Sequence, residues 1–160
     1  MPIKIRDLAT CFLLLASGRC FASEPIFLVG DTAPPPAAVK VFRDAGYEVK
    51  TKYSEGTGIL VTFFTAESRS EDRGVALWEA TYQTSYVCPV SGGDPLLLVA
   101  GPTRTSAKTV TNPSAQRAME SVSWVNREAA GQILNYIQSG AVEPIAKRCI
   151  ELKKMHESVH

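Results

Sequence analysis

Only two histidines occur in the chain, His156 and His160, both at its C-terminal end. Histidine is the side chain whose ordinary pKa lies nearest neutrality. Its confinement to the terminus removes Ser-His-Asp and Cys-His nucleophile pairs and most zinc mechanisms. No Gly-x-Ser-x-Gly elbow, no Gly-x-x-x-x-Gly-Lys phosphate loop and no Gly-x-Gly-x-x-Gly dinucleotide turn is present. Carboxylates remain. Asp31, Glu67, Asp72, Glu79 and Asp94 could supply the acid and base of a glycosidase, which needs two carboxyl groups flanking one bond. They are scattered over turns and a polar strand face, where acids serve solubility. Val29-Gly30-Asp31-Thr32 ends an apolar run near a helix start, where backbone N–H groups can receive an anion, but the prolines that follow remove donors. The expectation is a protein that is not an enzyme and holds no cofactor or metal.

Cysteine chemistry depends on the compartment, and the N-terminus speaks to that. Lys4 and Arg6 precede an apolar run from Leu8 to Ser17, and Cys20-Phe21-Ala22 places a small residue before Ser23. This is the pattern of a secretory signal peptide over residues 1–22, cleaved after Ala22, with a single domain over 23–160. A buried N-terminal helix is the alternative, and it would have to accommodate Gly18 and Arg19. Arg19 stands where a lipoprotein signal needs a small residue before its cysteine, so no lipid anchor is expected. The apolar run is shorter than the roughly 20 residues that span a bilayer, and no membrane span is expected.

Removing 22 of the 160 residues leaves 138, enough for one core, with 14 basic against 15 acidic side chains. No basic block suits nucleic acid. Of four cysteines, Cys88 and Cys149 remain after cleavage. In an oxidising compartment they read as a disulfide, worth roughly 4 kcal/mol by loop entropy. Two buried thiols or a metal pair are the alternatives.

The elements that would position these residues follow from hydrophobic period. Ile26 to Val29 reads as a buried strand. Pro36 opens a helix whose apolar stripe is Ala38, Val41, Phe42 and Ala45, and Gly46 stops it. Residues 47–53 alternate as a strand with one wet face. Ile59 to Phe64 is continuously apolar, as for a strand covered on both faces, and 67–73 is a charged hairpin tip. In 76–88, Ala76, Trp78, Ala80, Tyr82, Thr84, Tyr86 and Cys88 share one face. That aromatic row is expected to meet the covering helix, the alternative being a surface kept for a partner. Leu96 to Ala100 is a further strand, which Gly101-Pro102 interrupts and 104–110 continues as a polar edge. Asn112 as N-cap and Pro113 as first residue start a long helix running to Gly140, with Ala115, Ala118, Met119, Val122, Val125, Ala129, Ile133 and Ile137 as its stripe. A last helix over 144–155 sets Ile145, Cys149 and Leu152 inward. The order is β-α-β-β-β-β-α-α: an α+β fold, one mixed, mainly antiparallel sheet with helices packed on one side.

Trp124 breaks the long stripe. At about 100° per residue it lies about 180° from Ala115 and Ile133. Gly131, two turns on, falls near the same outer line. An aromatic on a polar face is either covered by the C-terminal helix or is a contact surface. Trp124, Arg127, Gly131 and the charged tip with Arg69, Glu71 and Asp72 are the candidate partner-binding residues.

The segment "DRGVALWEATYQTSY", preceded by "DAGYEV" and "GILVTFF" and followed by a long Ala-rich helix, resembles the sheet of small bacterial envelope α/β proteins. It is similar to the curli-secretion lipoprotein CsgG and the peptidoglycan-synthase activator LpoB. The Cys88 and Cys149 pair departs from that pattern. The resemblance implies a non-enzymatic envelope protein that binds other proteins. Together with the leader, it leads to the expectation of a periplasmic or secreted protein-binding protein, either an accessory of an envelope machine or an immunity protein against a periplasm-acting toxin or hydrolase. The alternative is a carboxylate-based hydrolase or a small-ligand carrier.

Overall fold

β-Branched and aromatic residues recur through 75–88, and this stretch forms the strand around which the others are arranged. The computed structural model describes residues 24–53, 56–70, 74–90, 93–99 and 101–158. The strands among them are β1 (Ile26–Gly30), β2 (Val49–Lys50), β3 (Gly58–Ser70), β4 (Val75–Cys88), β5 (Leu96–Val99) and β6 (Arg104–Thr111). The helices are α1 (Pro36–Asp44), between β1 and β2, then α2 (Ala115–Gln138) and α3 (Glu143–Glu157) after β6. Across the sheet the order is β2-β1-β3-β4, with β5 and β6 following one another along the far edge of β4. β1 runs parallel to β2 and β3, while β3, β5 and β6 are antiparallel to β4. The fold is α+β, a mixed, mainly antiparallel sheet carrying three helices.

Strand alternation places the core. Ile26, Leu28, Ile59, Val61, Phe63, Ala76, Trp78, Ala80, Tyr82 and Tyr86 turn to one face and are buried. Trp78 is 1% exposed, Tyr82 0% and Tyr86 1%, which settles the aromatic row as core. Rings of this kind bury about 150–250 Å² each, so three of them supply much of the apolar burial of a small domain. From α2, Val125, Ala129, Ala130, Ile133 and Ile137 meet that row, and Ala38 and Phe42 of α1 pack beside them. Cys88 and Cys149 form a disulfide that closes 61 residues of sequence and ties α3 to β4.

Several elements depart from their sequence signal. β2 holds two residues instead of seven, because only Val49 and Lys50 find partners on β1. Tyr53 then leaves the sheet and sets its ring edge-on to Phe27, 5.2 Å between centroids. β3 is covered on one face only, since Thr62 and Phe64 are exposed. It also runs through the predicted turn to Ser70, because pairing with β4 holds the polar residues extended. β5 and β6 are two strands, not one continued. The cap of α2 is Ser114, whose Oγ accepts from the Arg117 N–H at 3.3 Å. Asn112 instead adopts a left-handed turn at φ 44°, consistent with the clash that proline imposes on a helical residue before it.

Candidate functional site

The polar interior is built first by Asn126. It is fully buried on α2. Its Oδ1 accepts from Tyr82 OH at 2.7 Å and Thr65 Oγ1 at 3.0 Å, and its Nδ2 donates to the Val122 carbonyl at 2.8 Å. One amide thereby joins α2 to β4 and β3 and satisfies each buried group. Burial pushes the Tyr82 phenol well above its ordinary pKa. Tyr86 is raised as well, through burial first and then through the Glu24 carboxylate that accepts its hydrogen bond at 2.5 Å. Both are protonated structural groups at neutral pH, with no reactive partner beside them.

The carboxylates do not converge. β3 and β4 pair with Glu67 opposite Trp78 and Glu79 opposite Ala66, so alternation sets Glu67 on the helix side and Glu79 on the other. Glu67 is engaged by Arg69. Asp31 and Asp94 are exposed. Asp72 lies outside the described residues, as do Glu71 and the leader. Among the described residues no three histidines, cysteines or carboxylates gather as a metal site would require, and no helix is long and apolar enough to cross a membrane.

What does assemble is a shallow, open groove of about 470 Å³ lined by Lys108, Met119, Glu120, Ser123, Trp124 and Arg127. Asn126 turns one flank of α2 toward β3, and Trp124, on the opposite flank, lies toward β6. Lys108 of β6 sits over the indole with Nζ 5.5 Å from the ring centroid. Trp124 is therefore half-buried, and the group placed over its ring comes from β6 instead of the C-terminal helix. Met119 is 74% exposed, a correction to its expected place in the buried stripe. The first two turns of α2 carry no fully buried side chain before Ser121, so the period continues there without a core to face. Arg127 lies beside Trp124 in the groove, with Glu128 as a 4.0 Å partner. Gly131 continues the outer line of α2 but does not line the groove, and an added Cβ there meets open space. Arg69 belongs to β3, separated from β6 by β4, and is not brought to Trp124.

Sequence reasoning missed Lys108 and Asn126. The signal for Lys108 was available, because alternation along 104–111 groups it with Val110 and Ser106 on the helix side. Asn126 had none, since a polar residue on a helix carries no mark of the tyrosine it will meet.

The chain matches no family model and no curated protein. Among solved structures it is similar to a minor lipoprotein from Acinetobacter baumannii, at 11% identity and TM-score 0.41, covering 76% of this chain and 92% of that one. It is also similar to rare lipoprotein B from Shewanella oneidensis, at 14% identity and TM-score 0.40, covering 75% and 98%. A third, from Caulobacter crescentus and provisionally described as a lipoprotein, gives 10% identity and TM-score 0.41, covering 77% and 91%. The expectation of a chain without a lipid anchor is withdrawn, because all three similar structures are described as lipoproteins. Arg19 and Cys20, on which it rested, lie outside the described residues.

Proposed function

We propose that this chain is a non-enzymatic envelope protein that works by binding another protein, and that the groove on α2 is its docking site. The observation that carries the reading is Met119, 74% exposed, in one groove with half-buried Trp124 and two cations, Lys108 and Arg127. Tryptophan, methionine and arginine are enriched where proteins meet, because they offer large contact area with a polar handle. The secretory leader expected over residues 1–22 supports an envelope location. The partner belongs to an envelope machine or is a secreted toxin or hydrolase.

Placing a photo-crosslinker at Met119 in the intact chain and identifying the adduct in the native envelope tests this reading. The expected result is one stoichiometric partner whose affinity falls at least about tenfold in Trp124→Ala, as for an interfacial anchor. Partner affinity unchanged by Trp124→Ala and Arg127→Glu would sink the assignment. An assembly-machine component as the adduct favours the accessory role, and a toxin or hydrolase the immunity role.

A further inference from the structure

β6 is a long free edge of the sheet. Its eight residues pair with β4 on one side, and among the described residues no strand pairs with the other. Alternate residues of such a strand direct N–H and C=O outward, which makes it a template for another strand. On the opposite side β2 is two residues long, and β3 runs past β1 from Phe64 to Ser70, where Glu67 and Arg69 put charges along the edge. Edges are commonly blunted by proline, by bulges or by charges. β6 contains no proline, and it pairs with β4 through all eight residues without a bulge. Of its two charges, Arg104 stands at the first residue of the strand and Lys108 is drawn onto the Trp124 ring. Thr105, Thr109, Val110 and Thr111 are β-branched and hold the strand extended.

The groove at this edge specifies what would lie along it. Lys108 and Arg127 bring two positive charges against one carboxylate in the lining, Glu120, which accepts a hydrogen bond from Gln116 at 2.9 Å, with Glu128 4.0 Å from Arg127. Trp124 and Met119 bring apolar surface. Resting on the reading of this groove as a protein-docking site, the geometry points to strand addition. β6 receives along its free edge an extended segment of a partner protein, whose helix-side residues alternate carboxylates with apolar side chains. Main-chain hydrogen bonds to β6 hold the segment, and Lys108, Arg127 and Trp124 select its side chains. A second copy of this chain fits less well. Arg104 and Lys108 share the helix side of β6, facing Tyr82 and Trp78 in register, so two paired β6 edges would bring like charges together.

The test uses the full chain and a capped peptide of eight residues, threonine at odd positions and Glu, Phe, Glu and Val at even ones, titrated calorimetrically. Two further versions carry N-methyl groups, one at the odd positions and one at the even. A strand added to an edge uses one of its own two edges, so one methylated version is expected to bind at least about tenfold more weakly and the other as the parent does. Lys108→Glu is expected to weaken the parent by about tenfold through lost charge complementarity. Equal binding of the two methylated versions, or no binding of the parent at millimolar concentration, overturns strand addition. So does a stable dimer in sedimentation whose β6 amides are protected from exchange. If strand addition fails while the crosslinked partner still depends on Trp124, the groove reading stands. If the methylation parity effect holds while Trp124→Ala costs no affinity for that partner, the edge reading stands without the groove.

Discussion

Asn126 shows how one side chain can decide the packing of a helix on a sheet. Its amide serves three partners at once, and two of them, Tyr82 OH and Thr65 Oγ1, come from different strands. Replacing it with alanine leaves the Tyr82 hydroxyl buried without an acceptor, and an unmet group of that kind costs about 1–3 kcal/mol. The lost contacts of the amide add to that. Asn126→Ala is expected to lower unfolding free energy by about 2–3 kcal/mol in urea titration, and Tyr82→Phe by less, because it removes the hydroxyl along with its bond. A change below about 0.5 kcal/mol for Asn126→Ala would show that the network does not hold α2 in place. Thr84 presents the opposite case. Its hydroxyl is buried with no partner among the described residues, at the point where β4 passes between the spans of β5 and β6.

α3 is the element with the least of its own to hold it. Cys149 is its only fully buried side chain, with Ile145, Ala146 and Leu152 partly covered. Its other described tie is Lys153 Nζ donating to Thr57 Oγ1 at 2.9 Å. A part-buried hydrogen bond from a charged donor contributes about 1.5–3 kcal/mol, below the roughly 4 kcal/mol of the disulfide to Cys88, which is its main anchor. Reduction, or a Cys88→Ser and Cys149→Ser pair, is expected to release α3 before the sheet opens. Hydrogen exchange should show α3 amides losing protection while those of β4 and α2 keep theirs. Protection of α3 undiminished by reduction would mean that its apolar contacts suffice. The element scale is also where sequence reading was most and least successful. The stripe Ala38, Phe42 located α1, and alternation from Ala76 to Cys88 located β4. β2 and the far half of β3 were misjudged, because strand length is set by the partner: β1 could hold two residues of β2, and β4 could hold thirteen of β3.

For the whole molecule, buried tyrosines are expected to make stability fall on the alkaline side, Tyr82 and Tyr86 foremost and Tyr47 through burial as well. Tyr82 and Tyr86 are both raised from the ordinary value of 10.0, by burial in each case and additionally by Glu24 at Tyr86. The folded state therefore keeps protons that the unfolded chain releases above that pH. The stabilisation is full below about pH 10 and is lost as pH climbs toward the raised folded values. Thermal unfolding across this range should show Tm falling above pH 10, and Tyr86→Phe should flatten the fall. An identical alkaline slope in wild type and Tyr86→Phe would remove Tyr86 from that role. The α+β class, α1, β4, the aromatic core and the pairing of Cys88 with Cys149 were determined by sequence alone, because each depends on local period or on a residue type with one main use. Tertiary structure alone decided the group covering Trp124, the satisfaction of Asn126, the separation of Glu67 from Glu79 and the free edge of β6. Those depend on which strand lies beside which, and strand order is fixed by contacts between residues far apart in the chain, which no local period records.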